Sequence, residues 1–163
     1  MLRKCEDRDI EGIYPIYFHP KVNPFMNTDK MEFSEFKKYW LDKMAKGPVF
    51  VRTFRKQETG EKVIGMICAE LGKFRCAGTA TISSFAIHPD YHGHNYGEST
   101  LDGMIEHLQG QGVTRVQLFV EEDNVPARGF YEHMGFEQEG VLRKAFDREG
   151  QIVNEILMAK LFD

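Results

Sequence analysis

The chain has 163 residues, enough for one domain, and its 42% hydrophobic and 28% charged residues are the balance of an ordinary globular protein. No stretch reaches the roughly 18 apolar residues of a membrane span, and the first residues, Met1 to Asp9, lack the apolar core of a secretion signal, so a cytoplasmic protein without membrane attachment is expected. A net charge of −4 argues against non-specific nucleic-acid binding, and Cys5, Cys68 and Cys76, which have no metal-ligand spacing, read as free thiols in a reducing compartment.

Leu2 to Cys5 fits a short edge strand, and Asp7 or Asp9 offers an N-cap for a helix carrying Ile10, Ile13, Tyr14, Tyr17 and Phe18. Pro15 lies inside that pattern, so the helix is expected to be short or kinked. Lys21 to Met31 reads as a loop with exposed Phe25 and Met26. Ser34 is the expected cap of a second helix, with Phe36, Tyr39, Trp40 and Met44 buried, Lys37, Lys38 and Lys43 in water, and Gly47-Pro48 as its stop. Val49 to Arg55 and Val63 to Leu71 form a hairpin around a turn at Glu58-Thr59-Gly60-Glu61. Thr79 to Ile87 is a further strand.

After that strand, Pro89 breaks the ladder and a loop runs through His92 to Gly97. Leu101, Met104, Ile105 and Leu108 then mark a helix from Gly97 to Gln109. Such a helix start presents unpaired N–H groups and the positive end of a dipole, the physical basis of a phosphate site. Arg115 to Val120 is a nearly continuous apolar strand, and the strand–helix–strand unit implies a parallel crossover. Asn124 caps a last helix with Ala127, Phe130, Tyr131 and Met134 inward, ended by Gly135-Phe136 in a Schellman arrangement. Glu137 to Asp147 and Gln151 to Leu161 complete a hairpin turning at Arg148-Glu149-Gly150. The order β α α β β β α β α β β, without repeat or linker, implies one α/β domain over residues 1–163.

This order, and two motifs placed on it, resemble the GNAT superfamily of acyl-CoA-dependent N-acetyltransferases. Ile87-His88-Pro89-Asp90-Tyr91-His92-Gly93-His94-Asn95-Tyr96-Gly97 is similar to the family's Val-x-Pro-x-Tyr-Gln-Gly-Arg-Gly-x-Gly. His92 stands for a usual Gln or Arg, His94 for a basic residue and Asn95 for a Gly. Asn124, Ala127, Tyr131, Gly135 and Phe136 are similar to the family's Asn…Ala…Tyr…Gly-Phe run with its spacing intact. The resemblance implies a mixed, mostly antiparallel sheet with a central parallel strand pair and flanking helices.

It also implies an enzyme moving an acetyl group from acetyl-CoA directly to a primary amine: an amino acid, a small amine or a protein N-terminus. The pyrophosphate of coenzyme A would lie on backbone N–H groups of His92, Gly93, His94, Asn95, Tyr96 and Gly97. The pantetheine arm would pair with the backbone of Phe85, Ala86 and Ile87, and Asn124 would contact the cofactor. Tyr131 would protonate the leaving thiolate, since a phenol can serve as a general acid. Glu70, Ser83 and Glu155 are options for the base, without a choice among them. Phe25, Met26, Asn27 and Phe146 are candidates for the acceptor pocket. His88, His92 and His94 with Asp90 lack regular ligand spacing, so no metal is expected. The different-class alternative is an acyl-CoA-binding module whose altered loop retains the ligand but not catalysis. A generic nucleotide-binding domain is disfavoured, because no Lys-Ser or Lys-Thr follows the glycines. A homodimer through the sheet or the terminal hairpin stays open.

Overall fold

The computed structural model describes residues 1–26, 28–56 and 60–163. In chain order these form β1 (Leu2–Lys4), α1 (Ile10–Tyr17), α2 (Phe33–Lys46), β2 (Val49–Lys56), β3 (Gly60–Leu71), β4 (Thr79–Ile87), α3 (Tyr96–Gln109), β5 (Arg115–Glu121), α4 (Val125–His133), β6 (Glu137–Arg148) and β7 (Gln151–Leu161). The seven strands make one mixed sheet in the order β1-β2-β3-β4-β5-β7-β6. Among the described residues β4 and β5 are its one parallel pair, and every other neighbour is antiparallel.

Consecutive strand residues feed two cores, because side chains alternate across a sheet. On β3, Met66 and Cys68 join the core of α1 and α2, while Ile67 and Ala69 join that of α3, α4, β5 and β7. Trp40, Tyr17 and Phe36 are the largest fully buried side chains, all under α1 and α2. Pro15 lies within α1, which is only eight residues long, as expected of a helix whose pattern contains a proline.

Four local expectations need correction. Helix α2 starts at Phe33 with Glu32, in an extended conformation, as its N-cap, so Ser34 lies inside the first turn. Lys43 is buried: its Nζ lies over the Tyr39 ring, 5.2 Å from its centre, and donates to Ser83 Oγ at 3.3 Å. A long lysine stem can cover apolar surface while its head reaches a polar partner. Met26 is buried with the α1–α2 core, although Phe25 beside it is exposed. In the β2–β3 hairpin, Gly60 and Glu61 belong to β3, while Glu58 and Thr59 of the expected turn lie outside the described residues.

Two endings follow their sequence signals closely. At the end of α4, Gly135 (φ +82°) donates to the Glu132 carbonyl and Phe136 to the Tyr131 carbonyl, the paired bonds of a Schellman ending. The β6–β7 hairpin turns at Glu149 and Gly150, both at positive φ, and the Gly150 N–H donates to Asp147 Oδ1 at 2.7 Å.

Candidate active site

The central feature is a fork in the sheet. Strands β4 and β5 pair in parallel from Thr79–Arg115 to Ile82–Leu118, and beyond that point they diverge. Strand β5 continues against β7 on its other side, and β4 continues against β3. A cleft of about 760 Å³ opens between them, floored by Ser83 to Ile87 and Leu118 to Glu121 and flanked by α3 and α4.

Strand alternation decides which backbone groups face this cleft. The His88 N–H donates to Ile64 of β3 at 2.7 Å, in register with Gly65–Ile87, Met66–Ala86 and Ile67–Phe85. In an antiparallel pair, hydrogen-bonded and non-hydrogen-bonded positions alternate. Ala86 therefore points its polar backbone groups at β3, and Phe85 and Ile87 point theirs at the open edge. The Ile87 carbonyl is already met by His92 Nε2 at 2.8 Å, which ties the loop to the strand end.

The loop after β4 supplies free donors, but not at His92, whose N–H was expected among them and instead donates to the Pro89 carbonyl at 3.2 Å. Among the described residues, no backbone N–H from Gly93 to Glu98 donates to another protein group. Gly93 (φ +78°) and Asn95 (φ +55°) both adopt the left-handed region that bends these groups together. Asn95 stands where the family pattern has glycine, and asparagine tolerates this region best after glycine. Gly97 has a different reason: a Cβ there would come within 3.3 Å of the Phe130 ring, so its absence lets α3 approach α4. Beneath the first turn, buried Arg52 donates from Nε to Thr100 Oγ1 at 2.8 Å and from its guanidinium to Ser99 Oγ at 2.9 Å. Burial pulls its pKa down, yet an arginine stays protonated. A cation under the positive end of a helix is unfavourable alone and favourable once an anion binds.

From β5, α4 and β7 the cleft is lined by Glu121, Asn124, Tyr131 and Glu155. Asn124 Oδ1 accepts the Ala127 N–H at 3.3 Å as the α4 cap. The Tyr131 ring packs edge-on against Phe130 and Phe136, with centroids 5.3 and 5.8 Å away. Burial, helped by the charge of Glu121, pushes its phenol well above the ordinary tyrosine range. Glu121 is only 6% exposed, and among the described residues its side chain has no hydrogen bond or ion pair with another residue. Burial pushes its carboxyl up to about 7; a hydrogen bond with its own backbone and the Arg148 charge oppose this, and the Glu155 and Asp123 charges add to it.

Most of the sequence-predicted residues meet here. Phe85, Ala86, Ile87, His92, Gly93, Asn95, Tyr96, Gly97, Asn124, Tyr131, Phe25 and Met26 all line the one cleft. His94 does not; its ring stacks on Tyr96 and its Nδ1 lies 2.8 Å from the His92 carbonyl. Phe146 is buried outside the cleft, under the Arg148 guanidinium that also covers Phe25. Asn27 lies outside the described residues. Glu121 and Arg52 escaped the sequence reading. The available signal for Glu121 was a carboxylate ending an apolar strand, and for Arg52 an arginine inside one.

Among the described residues, no group of three His, Cys, Asp or Glu is placed to hold a metal, and no helix is long and apolar enough to cross a membrane.

The sequence pattern of the Acetyltransferase (GNAT) family matches residues 10–136. A mycothiol acetyltransferase of Beutenbergia cavernae is 38% identical over 60 residues, which are 37% of this chain and 20% of that protein. The ribosomal protein bS18 alanine N-acetyltransferase of Escherichia coli is 30% identical over 80 residues, 49% of this chain and 54% of that protein. The matched segments thus span a fifth to about half of these relatives. The crystal structure of spermidine N-acetyltransferase from Vibrio cholerae, in complex with CoA and spermine, superimposes with a TM-score of 0.83 at 19% identity, covering 99% of this chain and 94% of that one.

Proposed function

The chain belongs to the Acetyltransferase (GNAT) family, and from that membership we propose that residues 1–163 form one N-acetyltransferase domain that moves an acetyl group from acetyl-CoA directly to a primary amine. One observation carries the reading. The open edge of β4 at Phe85 and Ile87 and the free N–H groups of Gly93 and of Asn95 to Glu98 belong to the same cleft. An extended pantetheine needs such an edge, and a pyrophosphate needs convergent donors at a helix start. Acetyl-CoA supplies the activated acyl group as a thioester.

The chain's own residues account for the other requirements. The Ile87 N–H faces the cleft and can polarise a carbonyl placed beside it. The Tyr131 phenol, held protonated by burial, is a proton donor for a departing thiolate. Direct transfer, without an acyl-enzyme, agrees with the cysteines. Burial raises the Cys5 thiol to about 11 and the Cys68 thiol to about 12, and neither lines the cleft. A thiol held that high carries almost no nucleophilic thiolate near neutral pH. A cytoplasmic site of action fits three free thiols.

The loop departures His92, His94 and Asn95 are the ground for the competing binding-module reading. Asn95 nevertheless takes the left-handed conformation, which supports a working loop. The two readings part in one experiment: thiol release from acetyl-CoA, with mass detection of product, across amino acids, amino-acid amides, polyamines and peptide N-termini. Catalysis predicts release that depends on the amine. Coenzyme A binding without release on any amine would favour the module.

A further inference from the structure

We propose that Glu121 and Glu155 receive the acceptor as an ammonium ion and that Glu121 takes its proton, so that the acceptor is a cationic amine with no carboxylate beside its nitrogen. This rests on the acetyl-transfer reading and names the substrate class and the base of the same site.

The two carboxylates are register partners on β5 and β7. Residues directly opposite in an antiparallel pair project from the same face, close enough to interact. Like charges there are unfavourable unless something positive lies between them. Both line the cleft, and among the described residues neither has a side-chain hydrogen bond or ion pair with another residue. Glu121 is at the same time more than nine-tenths buried. A buried carboxylate without a partner is costly, and a ligand cation supplies what the protein withholds.

Two cations belong to this region: Lys21 lines the cleft, and Arg148, whose charge acts on Glu121, is held by other partners. Arg148, on β6, donates to Asp123 Oδ2 at 2.9 Å and to the Pro24 carbonyl at 2.8 Å, and it covers Phe25. The groups that set the charge of Glu121 are thus Glu155 from β7, Tyr131 from α4, Asp123 from the turn before α4 and Arg148 from β6. Burial also raises the Glu155 carboxyl. An amine bearing its own carboxylate would add a third negative group to this part of the cleft.

The ammonium gives one proton to the Glu121 carboxylate and becomes a neutral amine. Its nitrogen lone pair forms the C–N bond to the acetyl carbon, and the C–S bond breaks with its electron pair on sulfur. Tyr131 gives its phenolic proton to that sulfur, and the remaining surplus proton on nitrogen returns to the phenolate. Glu121 then releases its proton to solvent.

The test uses alaninamide and alanine as paired probes on isotope-labelled protein, titrated by NMR at pH 8 with and without coenzyme A. Alaninamide is expected to bind at least tenfold more tightly than alanine. Glu121→Gln and Glu155→Gln should each shrink that ratio severalfold. Equal binding of the two probes, or a ratio unchanged in both variants, overturns the proposal. The titrations without coenzyme A read this even if coenzyme A fails to bind, a failure that would instead count against acetyl transfer. With acetyl-CoA and alaninamide, Glu121→Gln should lower kcat about 100-fold at pH 7. Raising the pH should restore part of the loss, because an already neutral amine needs no base. Undiminished kcat in Glu121→Gln would remove Glu121 as the proton acceptor.

Discussion

Tyr131→Phe is expected to lower kcat by about 100- to 10,000-fold, the range that general-acid catalysis supplies, and to leave the Kd for acetyl-CoA unchanged. The split follows from how the side chain is held. Its ring packs against Phe130 and Phe136, contacts that phenylalanine keeps. Among the described residues the hydroxyl makes no hydrogen bond within the protein, so no internal partner is stranded by its removal. What disappears is a phenol that burial keeps protonated beside the fork. The proposed cofactor contacts are backbone groups on β4 and in the loop before α3, remote from that hydroxyl in sequence. Steady-state kinetics and a calorimetric titration read the two quantities separately. Turnover equal to that of the unsubstituted protein would remove Tyr131 as the acid.

Glu121→Gln is expected to stabilise the ligand-free protein at pH 8 by up to about 3 kcal/mol while it impairs turnover. An unfolded glutamate titrates near 4.5, and burial holds the native one at about 7. Below the lower value both states carry the proton, and the carboxyl costs nothing. As pH rises, the unfolded chain loses its proton first, so native stability falls. The loss is complete once pH passes the folded value, and the gap between the two values corresponds to about 3 kcal/mol. Glutamine does not titrate, so melting curves of the two proteins should lie closest at pH 5 and separate toward pH 8, with the variant melting higher. A separation of the opposite sign would contradict a buried, unpaired carboxylate. A residue that weakens the fold where it sits is one retained for chemistry, a common relation at active sites.

The order of elements was legible because each carries its own punctuation. Gly135-Phe136 ends α4, and Asn124 with Pro126 opens it, by signals local to a few residues. The loop was legible for the same reason, since Gly93, Asn95 and Gly97 act through backbone geometry and close approach. Misreadings arose where a distant partner decides. Lys43 looks like a solvated helix residue until Ser83, forty positions on, offers it a hydroxyl. Arg52 reads as a strand residue between Val51 and Thr53, and only the packing of α3 gives it Ser99 and Thr100. Glu121 looks like the wet end of a strand. It is nevertheless buried, and β7 places Glu155 opposite it, which no local pattern reveals. The fork itself is a register fact: nothing in Ser83 to Ile87 announces that β5 will leave them after Leu118.

Coenzyme A is expected to lie along the open edge of β4 with its pyrophosphate on the loop before α3, and backbone amide NMR during titration with coenzyme A reads both places at once. The largest shifts are expected at Gly93 to Glu98, and at Phe85 and Ile87 but less at Ala86, whose N–H faces β3. Shifts that spare these amides and gather instead in the separate hollow lined by Lys4, Pro48, Leu71 and Gln111 would contradict this placement.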